Sequence, residues 1–369
     1  MVCFTKVLSA SLAIFLLRLS MPPSEPFVFS PLSLNTLLAI VHDGANGVTQ
    51  SELTNLLLNG CTPSDVTEFY SSFTLSLPST NATGVTLSSA NRFYVDDSMK
   101  LRYDYKTHIQ RYFAAQILRT NLRNKSEAAR NMSKFVEEAT HGKIRNLIKD
   151  ADISDDALGI LINAVYFLGK WKFPFDHSGT HERTFKGANG GRKISFMSEY
   201  ASFRVNQKTD LGTVLIVPYQ DSNYSFFYLM PSESSDLGTM MSHLTGKTLI
   251  YALRAATDFV IRITVPKIKL ESQLDVKPLL SNLGVRRIFE NDAELSKISR
   301  VPLTISKIKH SALIEMDEEG TEAVASTYMK VQMKVISASI KPNPVILIDR
   351  PFLFGVLRNE DIIFIGQFT

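Results

Sequence analysis

The chain has 369 residues, 44% of them hydrophobic, so it is long enough to bury a large core. Its net charge of +4 is small, and basic and acidic residues intermingle without a Lys/Arg block, which argues against a nucleic-acid partner. The only cysteines are Cys3 and Cys61, which excludes a disulfide framework and fits a reducing compartment.

The first twenty residues allow two interpretations. Val7 to Leu17 could be the apolar core of a secretory signal peptide, and four Asn-x-Ser/Thr sequons support secretion. The apolar residues also recur at helical spacing, which favours a helix that stays in the folded protein. We favour the retained helix and a cytoplasmic protein, with secretion as the alternative. The run is too short and too interrupted to span a bilayer, so we expect no membrane partner.

Two later helices carry terminal signals. Ser30 and Ser33 flank Pro31 in a typical helix start, because hydroxyls cap the first turn and proline is favoured inside it. The pattern from Arg130 towards Ile148 predicts a second helix. We expect it to end at residues 140–144, where Gly142 fits a C-terminal cap.

Several strands follow in the second half of the chain. Ile160 to Phe167 is an almost continuous apolar run, which predicts a strand buried on both faces. Thr213 to Pro218 and Ser225 to Met230 are two more buried strands. Phe259 to Leu270 alternates between apolar and polar residues, as a half-exposed strand does, and Ile362 to Phe368 is the last strand.

Residues 317–351 form an unusually long connection near the C-terminus. Such a connection is usually a functional binding loop or a linker, and this one lacks the Gly/Ser or Pro repeats of a linker. It opens with Glu318-Glu319-Gly320-Thr321-Glu322-Ala323 and then contains small residues that could be taken up as a strand.

That opening run resembles the hinge of the inhibitory serpins, which are suicide-substrate inhibitors of proteases. Pro351-Phe352-Leu353-Phe354 resembles the family's C-terminal signature, and the resemblance extends in order from Phe29 to Phe368. It implies an α+β serpin fold with three β-sheets and about eight or nine helices. It also implies a single domain over 1–369, with a reactive-centre loop at about 318–344.

In the mechanism that the resemblance implies, a protease cleaves the loop, remains attached as an acyl-enzyme, and is dragged along as the hinge inserts beside the strand containing Asn163. Successive side chains of a strand point to opposite faces, so Thr321 and other small residues would share the face of the loop strand that enters the sheet. We expect Thr321 to be solvent-exposed before cleavage. The hinge comprises Glu318, Glu319, Gly320, Thr321, Glu322, Ala323, Val324, Ala325 and Ser326.

The cleaved bond follows from the family's spacing. The fourteenth residue after Gly320 is Lys334, with Val335 on the leaving side, and a lysine suits a trypsin-like serine protease. Met333 and Lys330 are alternative positions, and an apolar Met333 would suit a papain-like cysteine protease. A non-inhibitory serpin that acts as a carrier or storage protein is the remaining alternative.

The resemblance also implies a conformational role for five other residues. Ser30, Ser33, Asn163 and His310 match a cluster beneath the main sheet that lets the sheet part, and Trp171 matches the point where the loop enters the sheet.

We expect no enzyme activity and no cofactor. No Gly-x-Ser-x-Gly motif occurs, Ser306 and Lys309 lack the partner motifs that a Ser-x-x-Lys site needs, and the histidines show no metal-ligand spacing. The resemblance places the family's glycosaminoglycan-binding helix within residues 61–79, which contain no basic cluster, so we expect no heparin activation through that helix. We expect a monomer whose partner is the target protease.

Overall fold

In a computed structural model, the structure describes residues 5–20, 25–58, 60, 62–75, 84–187, 190–321 and 345–369. Its helices in these ranges are α1 (Thr5–Ser20), α2 (Pro31–Gly44), α3 (Gly47–Leu57), α4 (Pro63–Leu75), α5 (Tyr103–Phe113), α6 (Lys125–Ala139), α7 (Leu237–His243), α8 (Gly246–Arg254) and α9 (Val276–Asn282). Short 3₁₀ helices lie at Asp150–Asp152, His177–Gly179 and Arg287–Phe289.

The strands in the described ranges form two hydrogen-bonded sheets. They are β1 (Phe27–Phe29), β2 (Val85–Asp96), β3 (Gln116–Thr120), β4 (Gly159–Lys170), β5 (His181–Gly187), β6 (Gly190–Thr209), β7 (Gly212–Pro218), β8 (Tyr224–Met230), β9 (Thr257–Pro266), β10 (Ile268–Asp275), β11 (Lys307–Met316), β12 (Gly320–Thr321), β13 (Val345–Leu347), β14 (Phe352–Arg358) and β15 (Asp361–Phe368).

The main sheet has six strands in the order β10-β11-β12-β4-β2-β3. The second sheet has the order β1-β15-β14-β8-β7-β6-β9-β13, with β5 also paired to β6. The strand β6 is 20 residues long and pairs with β5, β7 and β9, so the described strands form two hydrogen-bonded sheets where the resemblance implies three. The fold is α+β, as predicted.

The helix starts are set by side-chain caps. Ser30 accepts a hydrogen bond from the backbone N–H of Ser33, which starts α2 where the sequence predicts it. Asn124 caps α6 in the same way, so this helix begins before Arg130. It ends at Ala139, directly before the expected end at residues 140–144. Gly142 has a positive φ angle and its N–H donates to the carbonyl of Glu137, as a glycine after a helix C-terminus does.

Most predicted strands are present, with one correction. The runs predicted as strands at residues 160–167, 213–218, 225–230 and 362–368 lie in β4, β7, β8 and β15. The run from Phe259 to Leu270 is not one strand, because it breaks at Lys267, whose N–H donates to Ser195 O in the second sheet. Pro266 has no N–H with which to continue a ladder, and β9 and β10 therefore lie in different sheets.

The centre of the main sheet contains a junction, the seam, between β4 and β11. The two strands pair in parallel from Ile160 with Lys307 to Tyr166 with Leu313. Above that stretch the two-residue strand β12 lies between them: Thr321 is opposite Met316 of β11 and opposite Gly169 of β4. The lower part of the seam, from Ile160 to Tyr166 of β4, is thus closed. The top of the seam, at Gly169 and Lys170 of β4, already holds a short strand.

Three apolar clusters support this arrangement. An aromatic-rich cluster fills the space between the two sheets, a second cluster joins most helices to the sheets, and a third lies between α6 and the opposite face of the main sheet. In α1, Arg18 donates to the carbonyls of Met241 and Leu244, which ties this helix to α7 and its C-cap. No helix in the described ranges is long and apolar enough to cross a membrane.

Candidate functional site

A tight turn leads from β11 into β12. The Oδ1 atom of Asp317 accepts hydrogen bonds from the N–H groups of Glu319 (3.0 Å) and Gly320 (3.3 Å), which fixes the turn. A Cβ atom on Gly320 would lie 2.0 Å from the carbonyl oxygen of Gly169, so only glycine lets the turn approach β4 this closely.

Glu318 anchors this turn from the other side. One carboxylate oxygen lies 2.6 Å from Lys267 Nζ and accepts a hydrogen bond of 2.6 Å from Thr180 Oγ1. Burial acts to raise the pKa of Glu318, but these two partners outweigh it, so the pKa lies below its usual value. His177 lies 3.6 Å from Glu318 and 3.5 Å from Glu319, both at ion-pair distance.

Trp171 lies beside the same turn, where the resemblance places loop entry. Its indole N–H donates to the carbonyl of Asp317 at 2.9 Å, and its ring stacks on Tyr219 with a centroid distance of 4.5 Å. The Tyr219 hydroxyl in turn lies 2.7 Å from the hydroxyl of Thr321. The roles of Tyr219 and Asp317 were not predicted from the sequence, because a tyrosine after a buried strand and an aspartate before a hinge carry no distinctive local signal.

The expectation that Thr321 is solvent-exposed is wrong. Its relative exposure is 0%, because strand pairing on both sides and the contact with Tyr219 enclose it. The first hinge residue on the inserting face is therefore already part of the main sheet.

The four residues predicted to lie beneath the sheet are brought together at the seam. His310 Nε2 accepts a hydrogen bond of 3.0 Å from the N–H of Ser30, and its Nδ1 contacts Asn163 Oδ1. The Asn163 amide donates to Ser33 Oγ at 2.6 Å and to Asn91 Oδ1 at 2.6 Å. The network thus links α2 and its N-cap to three strands of the main sheet.

Asn91 is a further member that the sequence analysis missed, and so is Ser89, whose hydroxyl lies 2.9 Å from Ser33 Oγ. Both residues belong to β2, two positions apart, and therefore point to the same side of the sheet. The spacing of Ser89 and Asn91 was the only sign of this role in the sequence. Polar residues two positions apart also occur in any strand with one solvent-facing side, so the spacing alone does not identify the network.

The network crosses the seam. Asn163 of β4 and His310 of β11 are direct partners in the parallel ladder, and both are fully buried. Burial lowers the pKa of His310 to about 3, so the ring is neutral, with Nδ1–H donating to Asn163 and Nε2 accepting from Ser30. Parting β4 from β11 would break this contact.

The remaining predicted site residues lie outside the described residues: Glu322, Ala323, Val324, Ala325, Ser326, Lys330, Met333, Lys334 and Val335. Within the described ranges, no group of three or more His, Cys, Asp or Glu side chains is arranged to hold a metal ion.

The His310 contact predicts a pH dependence. Between about pH 6.5 and about pH 3 the unfolded chain binds a proton at this histidine that the native chain does not, so stability falls as the pH drops, by about 1.4 kcal/mol per pH unit. We expect His310→Gln to flatten this dependence between pH 7.5 and 4.5, as measured by thermal midpoints. Parallel pH profiles for the variant and the parent would contradict the assignment.

The enclosure of Thr321 predicts an effect before any cleavage. Thr321→Arg would bury a charge without a partner, so we expect the thermal midpoint of the uncleaved protein to fall and Trp171 fluorescence to change. Thr321→Val, the matched control, keeps the volume and loses the Tyr219 contact, which costs about 1 kcal/mol. An uncleaved Thr321→Arg protein that is identical to the parent in both measurements would show that the hinge is not seated in the sheet.

Comparison with known proteins agrees with this architecture. Residues 9–369 match the sequence model of the serpin (serine protease inhibitor) family. The chain is 31% identical over 358 residues to Iripin-2 of Ixodes ricinus, covering 94% of this chain and 88% of that one. It is 29% identical over 356 residues to Serpin B6 of Pongo abelii, covering 94% and 93% of the two chains.

Two solved structures illustrate the shared fold. The native state of tengpin, a thermophilic serpin, superposes with a TM-score of 0.88 at 26% identity over 98% of this chain and 93% of that chain. Human thyroxine-binding globulin in complex with thyroxine also gives a TM-score of 0.88, over 99% of this chain and 98% of that chain, although its 22% identity supports the fold alone. The hinge turn, the seam network and the family match over nearly the whole chain lead to one conclusion: the chain belongs to the serpin family of protease inhibitors.

Proposed function

We propose that this serpin is an irreversible suicide-substrate inhibitor of an endopeptidase, most simply a trypsin-like serine protease. The observation that carries the proposal is the seating of Gly320 and Thr321 as a strand between β11 and β4. A loop whose first residues already occupy the sheet needs only to continue in the same register after cleavage.

The register supports this continuation. Each further loop residue would advance one position down β4, so residue 323 would face Phe167 and residue 325 would face Val165. Both β4 side chains are buried in the aromatic cluster between the sheets, where little room remains. Ala323 and Ala325 are small enough to enter there, whereas a non-inhibitory serpin would be expected to break the small-residue pattern.

The chemistry proposed is that of an interrupted hydrolysis. The protease nucleophile attacks the carbonyl carbon of Lys334, the amide bond to Val335 breaks, and the Val335 amine leaves with a proton. The protease is then held as an ester on Lys334 while the freed strand inserts. Insertion adds about a dozen backbone hydrogen bonds at about 0.5–1.5 kcal/mol each, so the uncleaved state is a kinetic trap.

Two alternatives share the fold. A papain-like cysteine protease would be the target if Met333 directs cleavage, and Lys330 is a second basic position. A carrier or storage serpin would hold a ligand and would not trap a protease.

We propose no catalytic activity for the chain itself and a monomeric state. We also propose no activation by heparin through α4, because Pro63–Leu75 contains no Lys or Arg.

We also propose that the N-terminal helix is retained and the protein cytoplasmic. The side chains of Ala10, Ala13 and Leu17 in α1 are buried in the helical cluster, so removing this helix would expose that cluster. Mass spectrometry of protein from its native cells should find residues 5–20 attached. A mature chain beginning near Met21, with sugar on the exposed Asn124 or Asn223, would establish secretion instead.

The target class is tested with a panel of trypsin-like, chymotrypsin-like and papain-like proteases. We expect a complex that survives SDS with a trypsin-like protease, and its loss in Lys334→Ala, because the specificity pocket then lacks its cation. Lys330→Ala is the matched control and should keep the complex. A complex unaffected by Lys334→Ala would move the cleaved bond, and cleavage without any SDS-stable complex in the whole panel would favour the carrier.

A further inference from the structure

Residues 143–153, the strap, follow α6 and reach across the seam. Four apolar side chains of the strap are buried in the cluster between α6 and the main sheet: Ile144, Leu147, Ile148 and Ile153. Ile160 and Ile162 of β4 belong to the same cluster. The cluster also contains Leu313 of β11, but most of its seam residues come from β4, so the apolar contacts hold the strap mainly to the β4 side.

On the β11 side the strap is held by charge. One carboxylate oxygen of Asp152 lies 2.9 Å from Lys309 Nζ and 3.1 Å from Lys307 Nζ. These side chains are only 16%, 15% and 22% exposed, so solvent screens the contact less than it screens a surface pair. Burial acts to raise the pKa of Asp152, but the hydrogen bonds from Lys309, the Lys149 backbone and Lys307 outweigh it and lower that pKa.

The sheet register shows that these contacts straddle the seam. Lys309 is the direct partner of Ile162, and Lys307 is the direct partner of Ile160, so the lysines and isoleucines share one face of the sheet. Ile153 packs in the apolar cluster on that face, while its neighbour Asp152 is bound to β11. Asp152 thus ties the strap to β11, whereas its neighbour Ile153 belongs to a cluster whose seam residues come mostly from β4.

A strand entering the seam would move β11 away from β4 by about 4.8 Å, the spacing of neighbouring strands. The strap cannot then keep both its apolar contacts and the short ion pairs of Asp152. Continuing the β12 register places residue 328 beside Ile162 and residue 330 beside Ile160, so the pairs must yield before insertion reaches Lys334.

We propose that Asp152 is a positioning residue that slows strand insertion by holding β11 to the strap across the closed seam. We call this slowing of insertion by Asp152 the brake. The inference rests on the proposed function, because insertion can be slowed only if the seam accepts a strand. Lys307 also pairs with Asp275 at 3.0 Å, outside the strap, so Lys309 is the partner that Asp152 alone neutralises among the described contacts. A slower insertion leaves the acyl-enzyme more time to hydrolyse, so Asp152 would set the fraction of loop cleavages that end in release.

The test supplies the strand separately. A synthetic peptide of residues 322–334, which begins after the seated Thr321 and lacks tryptophan, is added to the uncleaved protein, and its uptake is followed by the fluorescence of Trp171, the only tryptophan of the chain. We expect Asp152→Asn to take up the peptide about two- to fivefold faster than the parent. The asparagine can still accept the hydrogen bond that Asp152 receives from the N–H of Lys149.

Asp155→Asn is the matched control. It removes the same charge two residues past the strap, but Asp155 is 97% exposed and pairs with Lys125 of α6, so uptake should not change. Lys309→Met removes one of the two lysine partners and should also speed uptake, and the double variant should be no faster than Asp152→Asn alone. Added salt should speed the parent and leave Asp152→Asn unchanged.

The outcomes separate the brake from the inhibitor. If Asp152→Asn and Lys309→Met take up the peptide at the parental rate, or if Asp155→Asn accelerates it equally, the assignment of Asp152 is wrong while inhibition stands. A lowered thermal midpoint with an unchanged uptake rate would make the pair purely stabilising and would also overturn the brake. A parent that takes up no peptide would overturn both the brake and the insertion mechanism.

Discussion

The hinge turn and the polar network beneath the main sheet both depend on the parallel pairing of β4 with β11 below the short strand β12. At the top of the seam, Gly320 and Thr321 lie between the two strands and hold them apart. The lower seam is closed by the ladder and by the contact between Asn163 and His310. In the proposed mechanism, the balance between these two regions determines whether another strand can enter.

The contacts around the seam divide into those that seat the hinge and those that keep the strands together. Asp317, Glu318 and Trp171 hold the turn in place through hydrogen bonds and an ion pair, and these contacts need not change if the strand grows downwards. The contacts of His310 and Asp152 join elements that would have to separate for a further strand to enter. The proposed mechanism therefore requires a fixed hinge turn above a lower seam that opens.

The sequence predicted the parts that local chemistry determines. The apolar run of β4 specifies a buried strand, the serine cap specifies the start of α2, and the hinge motif identifies the family. It did not predict the burial of Thr321, because that depends on Tyr219, more than 100 residues away in the chain. The break at Lys267 and the role of Asn91 depend in the same way on neighbours that only the folded sheet supplies.

The measurement that tests the central claim most directly is the thermal midpoint before and after a single cut in the loop between residues 322 and 344. A protease that is not trapped can make the cut, so the result does not depend on the identity of the target. If the freed strand enters the seam, the cut chain should unfold at a much higher temperature than the intact chain, because the parallel pairing of β4 with β11 is replaced by two antiparallel pairings with the inserted strand. A cut chain with an unchanged or lower midpoint would show that the seam stays closed and would contradict this account.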